Sequence, residues 1–213
     1  LLALSDAYVA RGGAGDGGRA VEMLRVIVDG ENFSPTLEEL RRTLRNFNFS
    51  PETEIWQQAQ EKLGRVYFDQ AVAEADPKKS QDGLLEAARL LQESVNRFPG
   101  MPGGVGRYFC LGQAYYRLYF SHLNLGNLNQ ATTFLEQGVA QLPRSQDEMR
   151  DTPEKFEILE KQMLLLLGDV NFVLSRRLEG EASGAALQQA LGYYARVIQK
   201  YFREKEGLWA LYQ

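Results

Sequence analysis

Apolar residues recur along this chain at spacings of three and four, and two short patterns of them alternate. The first is a large apolar residue, a small one beside it and an aromatic three further on. It occurs as Leu4-Ser5-Tyr8, Leu63-Gly64-Tyr67 and Leu111-Gly112-Tyr115, with a weaker copy at Leu167-Gly168-Asn171. The second follows each copy: an alanine, a bulky residue four on, and a smaller apolar or tiny residue three beyond that. It occurs as Ala20-Leu24-Ile27, Ala87-Leu91-Ser94, Ala131-Leu135-Gly138 and Ala190-Tyr194-Val197. Such spacings place the members of each pattern on one helical face. Small residues at Gly64, Gly112, Ala87 and Ala131 would let two antiparallel helices approach closely, with the bulky residues filling the groove beside them. Pro99 and Pro143 stand five residues after the last member of two copies, where Phe202 and Asn32 stand in the others. A proline there is expected to stop the second helix, because it cannot donate the helical hydrogen bond. Two alternating patterns, four times over, predict four helical hairpins at 1–30, 51–99, 104–143 and 153–203.

Helix starts are marked independently. Ser34-Pro35, Ser50-Pro51 and Thr152-Pro153 each pair an N-cap residue with proline at the first helical position, followed by acids in the first turn. The expected helices are 1–11, 18–29, 35–46, 52–75, 81–98, 105–124, 128–142, 153–179 and 184–203. The one at 35–46 belongs to neither pattern and reads as an insert over about 34–46. A fifth hairpin would open at about 206, with Trp209. Phe156, Leu159, Met163, Leu167, Val170, Leu174 and Leu178 form one long stripe, and no segment alternates with period two for long enough to be a strand.

The paired patterns resemble the tetratricopeptide repeat, whose first helix carries W-x2-L-G-x2-Y and whose second carries A-x3-F-x2-A-x4-P. The likeness covers most of the chain. Its alanines 20, 87, 131 and 190 lie 67, 44 and 59 residues apart, against a family period of about 34. The chain is therefore similar to long-helix variants such as those of bacterial envelope proteins, among them the lipoprotein of the outer-membrane β-barrel assembly machine and the coordinator of the Tol–Pal system. The resemblance implies an all-α superhelix, a TPR-like solenoid running through 1–213. It also implies a non-catalytic scaffold that binds a protein or peptide on its concave groove. The alternative is a helical arm of a larger enzyme or of a secretion or envelope assembly whose chemistry lies elsewhere. Solenoid ends that expose apolar surface would also allow self-association.

Composition narrows the partner. The chain is 44% apolar and 24% charged with a net charge of −4, which argues against a nucleic-acid surface. Its densest basic spots, Arg41, Arg42 and Arg45, and Arg176 with Arg177, read as solvated helix faces. The longest apolar run, Met163 to Leu167, is too short to span a bilayer. The first residues, Leu-Leu-Ala-Leu, and the last, Trp209 to Gln213, read as cut from a longer protein. One cysteine, Cys110, and one histidine, His122, offer neither a disulfide nor a zinc site, and leave the compartment open between cytoplasm and bacterial periplasm or cell envelope.

No cofactor or metal is expected. Gly13 to Gly18 contains a literal G-x-G-x-x-G, but a dinucleotide site needs a buried strand before it, and Leu1, Leu4 and Tyr8 run with helical period. A flexible hairpin loop is the better reading, and the glycines of 99–106 read as a connector. His122 has no acidic or thiol neighbour within a turn and reads as a helix-surface residue, while Cys110 reads as a small core residue. The adjacent pairs Glu38-Glu39 and Asp147-Glu148 point in different directions on a helix or occupy loops, and form no catalytic dyad.

The candidate groove follows from the helical period. In a stacked array the first helix of each hairpin lines the concave side. Tyr67 and Tyr115 would face the packed interior, so the next residue turns about 100° away. Those residues are Phe68 and Tyr116, with Phe172 in the equivalent place of the fourth hairpin. They would form an aromatic ladder with Phe109 alongside, and Arg65, Asp69, Gln113, Arg117 and Asp169 as polar selectors. Aromatics and arginine anchor protein interfaces. The competing expectation is that lengthened helices bury these aromatics, since aromatic stripes are usually core.

Overall fold

The computed structural model describes residues 1–13, 15–29, 53–99, 104–148 and 152–201, and the described residues form α-helices and no strand. In chain order these are α1 (Leu2–Arg11), α2 (Asp16–Val28), α3 (Glu54–Ala73), α4 (Pro77–Arg97), α5 (Gly104–His122), α6 (Leu125–Glu148), α7 (Pro153–Ser175) and α8 (Gly180–Tyr201). They fall into two compact units, Leu1–Pro99 and Gly100–Gln213. The expected helix at 34–46, the caps at Ser34 and Ser50, and the hairpin from 206 lie outside the described residues.

The first unit pairs α1 with α2 and α3 with α4, and α2 packs on α3. Gly12 closes α1 at φ 64°, its N–H donating to the Tyr8 carbonyl, and Gly15 (φ 84°) leads into α2. Both are left-handed positions that only glycine takes without strain. The Thr53 hydroxyl caps α3 by accepting from the Trp56 N–H at 3.3 Å. The Trp56 indole in turn donates to the Val28 carbonyl at 3.0 Å, which ties the start of α3 to the end of α2. Asp76 caps α4 through the N–H groups of Lys78 (2.9 Å) and Lys79 (3.1 Å). That helix starts at Pro77, four residues before the expected 81, and ends at Arg97 ahead of Pro99.

The second unit pairs α5 with α6 and α7 with α8, and α6 packs on α7. Here one expectation is corrected: α6 does not stop at Pro143 but runs through it to Glu148. A proline removes one N–H bond and crowds one carbonyl, a cost that can kink a helix without ending it. Half-buried Val139 and buried Leu142 pack into the unit on the turn that carries the proline and hold the helix there. The α7 stripe is core as expected, with Met163, Leu167 and Val170 fully buried.

Three of the four hairpins close on the same kind of contact. A Cβ added at Gly64 would lie 2.7 Å from Leu91 Cγ, one at Gly112 would lie 2.4 Å from Leu135 Cγ, and one at Gly168 would lie 2.3 Å from Tyr194 Cε1. In three hairpins the glycine of the first helix is therefore the notch that seats the bulky residue of the second. In the first hairpin Ser5 and Leu24 stand at these positions, both buried. Every member of the alanine pattern is buried as well.

Candidate functional site

The nine groove residues divide between the units. In the first unit Arg65, Phe68 and Asp69 lie on α3. Arg65 is paired with Glu61 one turn earlier at 2.7 Å, and Asp69 is exposed. Phe68 is only 8% exposed, so the expected accessible rung is absent there. The helical period fixes which residue turns away from the partner helix but not what covers that second face, and an aromatic there is more often core.

In the second unit Phe109, Gln113, Tyr116 and Arg117 lie on α5, and Asp169 and Phe172 lie on α7. Helices α5 and α7 touch each other, which brings Phe109, Gln113 and Asp169 to one surface with Tyr116 in electrostatic reach of Asp169, whereas nothing ties Arg117 or Phe172 to that surface. Phe109, Gln113 and Asp169 line an open pocket of about 260 Å³ together with Gln162, Leu165 and Leu166. Phe109, Tyr116 and Leu166 rest on the core between α5, α6 and α7, while Leu165 and Phe172 rest on the core between α7 and α8. All are half-buried, anchored on one side and open on the other. Arg117 is exposed.

Asp169 is the charged group of this pocket. Its Oδ1 accepts the Tyr194 hydroxyl at 2.7 Å. Tyr194 reaches it from α8 because its ring lies in the Gly168 notch. Burial raises the carboxyl above its ordinary pKa, outweighing the Tyr194 hydrogen bond that lowers it. No cation among the described residues pairs with it. Burial first, and then the charge of Asp169, push the Tyr116 hydroxyl up to about 12. The Tyr116 ring meets exposed Phe120 edge-on at 5.1 Å.

Gln162, Leu165, Leu166 and Tyr194 were not foreseen as groove residues. Leu165 and Leu166 sit inside the apolar run Met163 to Leu167, where unbroken hydrophobicity hides which face each residue takes. Tyr194 is legible only as a packing residue, since nothing in the sequence shows that its hydroxyl passes the notch to reach α7.

A larger cleft of about 420 Å³ in the first unit is lined by Arg25, Tyr67, Gln70, Glu74, Lys79, Asp82 and Glu86, among others. Arg25 donates to the Tyr67 hydroxyl through Nε (2.9 Å) and Nη2 (2.6 Å) and pairs with Glu86 at 3.6 Å. Hydrogen bonding from Arg89 holds the Glu86 carboxyl below its ordinary pKa.

The glycine-rich loop between α1 and α2 follows a helix. The Asp16 carboxylate accepts from the Gly13 N–H at 2.9 Å and from Arg11 Nε at 2.6 Å. His122 is exposed at the end of α5, and Cys110, expected in the core, is half-buried. The described residues contain no His, Cys, Asp and Glu group arranged to hold a metal, and no helix among them is long and apolar enough to cross a membrane. No family model, curated protein or solved structure matches the chain.

Proposed function

We propose that the chain is a non-catalytic, tetratricopeptide-like scaffold that holds a protein or peptide on the first helices of its hairpins. The observation that carries this reading is the surface shared by α5 and α7. There, half-buried aromatic and aliphatic side chains surround two amides and a carboxylate in an open pocket. Anchored aromatics with polar selectors between them are the make-up of protein-recognition surfaces. The glycine notch repeated in three hairpins supports a repeat array, as does the packing of each unit's second hairpin on its first.

A photo-crosslinking amino acid tests it when placed at Gln113 or Gln162 in the groove, or at exposed Thr133 on α6 as the control. In cells of its source, adducts with a protein are expected from the groove positions and not from Thr133. Equal labelling from all three, or none from the groove, would overturn it.

A further inference from the structure

The open pocket between α5 and α7 reports the chemistry of its occupant, an inference that rests on the scaffold reading above. The pocket between α5 and α7 holds about 260 Å³, below the range of roughly 300–1,000 Å³ of sites for drug-sized ligands. It suits one long side chain. Phe109, Leu165 and Leu166 supply apolar wall, and Gln113 and Gln162 supply amides that have no hydrogen-bond partner among the described residues. Asp169 supplies a carboxylate whose one bonded oxygen is held by Tyr194.

We infer that this pocket takes the side chain of a lysine or arginine in a bound peptide, its stem along Phe109, Leu165 and Leu166 and its charged head at Asp169. The alternatives fit less well. An acidic side chain would meet Asp169 as a like charge, and an aliphatic one would strip water from the carboxylate and return no hydrogen bond. A neutral polar side chain would leave the carboxylate's charge without a counter-charge. Only a cation on an apolar stem matches the wall, the amides and the charge together, since such side chains bury the stem and keep the head polar. The geometry also explains why the site is ready for it. Tyr194 is anchored in the Gly168 notch, so the carboxylate is positioned before anything binds. Burial already raises the carboxyl pKa with no cation to offset it, which leaves the compensating charge to come from outside.

A displayed library of random twelve-residue peptides, acetylated at the amino terminus when resynthesised, supplies the probes. Fluorescence anisotropy then compares each enriched peptide with versions carrying norleucine for lysine or citrulline for arginine. The expected result is an enriched lysine or arginine whose replacement weakens binding about tenfold in the wild type and hardly at all in Asp169→Asn, with the circular dichroism of that variant unchanged. Peptides that bind in a Phe109→Ala-sensitive way but are indifferent to norleucine would overturn the cation assignment and leave the scaffold reading standing. The same holds if the loss persists undiminished in Asp169→Asn. A library from which nothing is enriched would overturn both.

Discussion

The notch at Gly112 can be tested by a single methyl group. An added Cβ would sit 2.4 Å from Leu135 Cγ, 2.5 Å from Cδ2 and 3.0 Å from Cδ1. Comfortable carbon contacts are about 3.5–4.0 Å, so the helices must part by roughly 1 Å or Leu135 must leave its rotamer. The obstructing atom is the branch point of a fully buried side chain, not the far end of a flexible one. Overpacking of this kind costs about 1–3 kcal/mol, while alanine gains about 0.5–1 kcal/mol over glycine from helix propensity. Gly192 on α8 separates the two effects, because a Cβ there meets nothing within 4 Å among the described residues. Gly192→Ala should therefore be stabilising, and Gly112→Ala should fall below it by about 1–3 kcal/mol. With a urea m-value of about 2 kcal/mol/M, that gap is a difference of about 0.5–1.5 M in midpoint. Both glycines lie in the second unit, so one far-ultraviolet circular dichroism transition reads both. Leu135→Ala should partly rescue Gly112→Ala: the double variant should cost less than the two losses combined, by about 1–3 kcal/mol. If Gly112→Ala is as stabilising as Gly192→Ala, α5 and α6 do not meet at this glycine and the repeat register is wrong.

Two further outcomes are expected. Gln60 on α3 is fully buried and neither atom of its amide has a hydrogen-bond partner among the described residues, so Gln60→Met should raise stability by about 1–3 kcal/mol, and a lowered urea midpoint would contradict this. Because burial raises the Asp169 carboxyl, the folded state holds that proton more tightly than the unfolded chain, and wild-type stability relative to Asp169→Asn should fall as pH rises through the carboxylate range toward neutrality; parallel midpoints between pH 4 and 7, or a slope of the opposite sign, would show that the carboxylate is not buried as described.

Much of this architecture is legible in the sequence because the helical period and the small-to-bulky pairing are local signals. The close-approach glycines Gly64 and Gly112 and the bulky residues of the second helices are marked by spacing, and the structure seats Leu91 on Gly64, Leu135 on Gly112 and, beyond what spacing showed, Tyr194 on Gly168. Other signals lie in the sequence as well. Asp76-Pro77 is the same cap-and-proline start as Thr152-Pro153, and it opens α4. Gln60 stands four residues before its glycine, where the other two glycine-bearing hairpins carry Tyr108 and Leu164, so it is a polar residue at a core position. Pro143 misleads because a proline's local cost says nothing of the packing of Val139 and Leu142 just before it. The groove was legible only in part. Phe109, Gln113 and Asp169 do meet, whereas the burial of Phe68 depends on what covers its helix, a tertiary fact that no period encodes.

The residue directly after each glycine notch is Arg65, Gln113 or Asp169: a cation, an amide and an anion. The lock that closes a hairpin and the label it shows to the outside are thus neighbours in the chain but separate in duty. At Arg65 and Gln113 the label could be rewritten without disturbing the lock, so the charge pattern can drift hairpin by hairpin while each hairpin's packing stands still. The fourth hairpin is wired differently. Tyr194 fills the notch with its ring and steers the carboxylate with its hydroxyl, so there a change of lock is also a change of label.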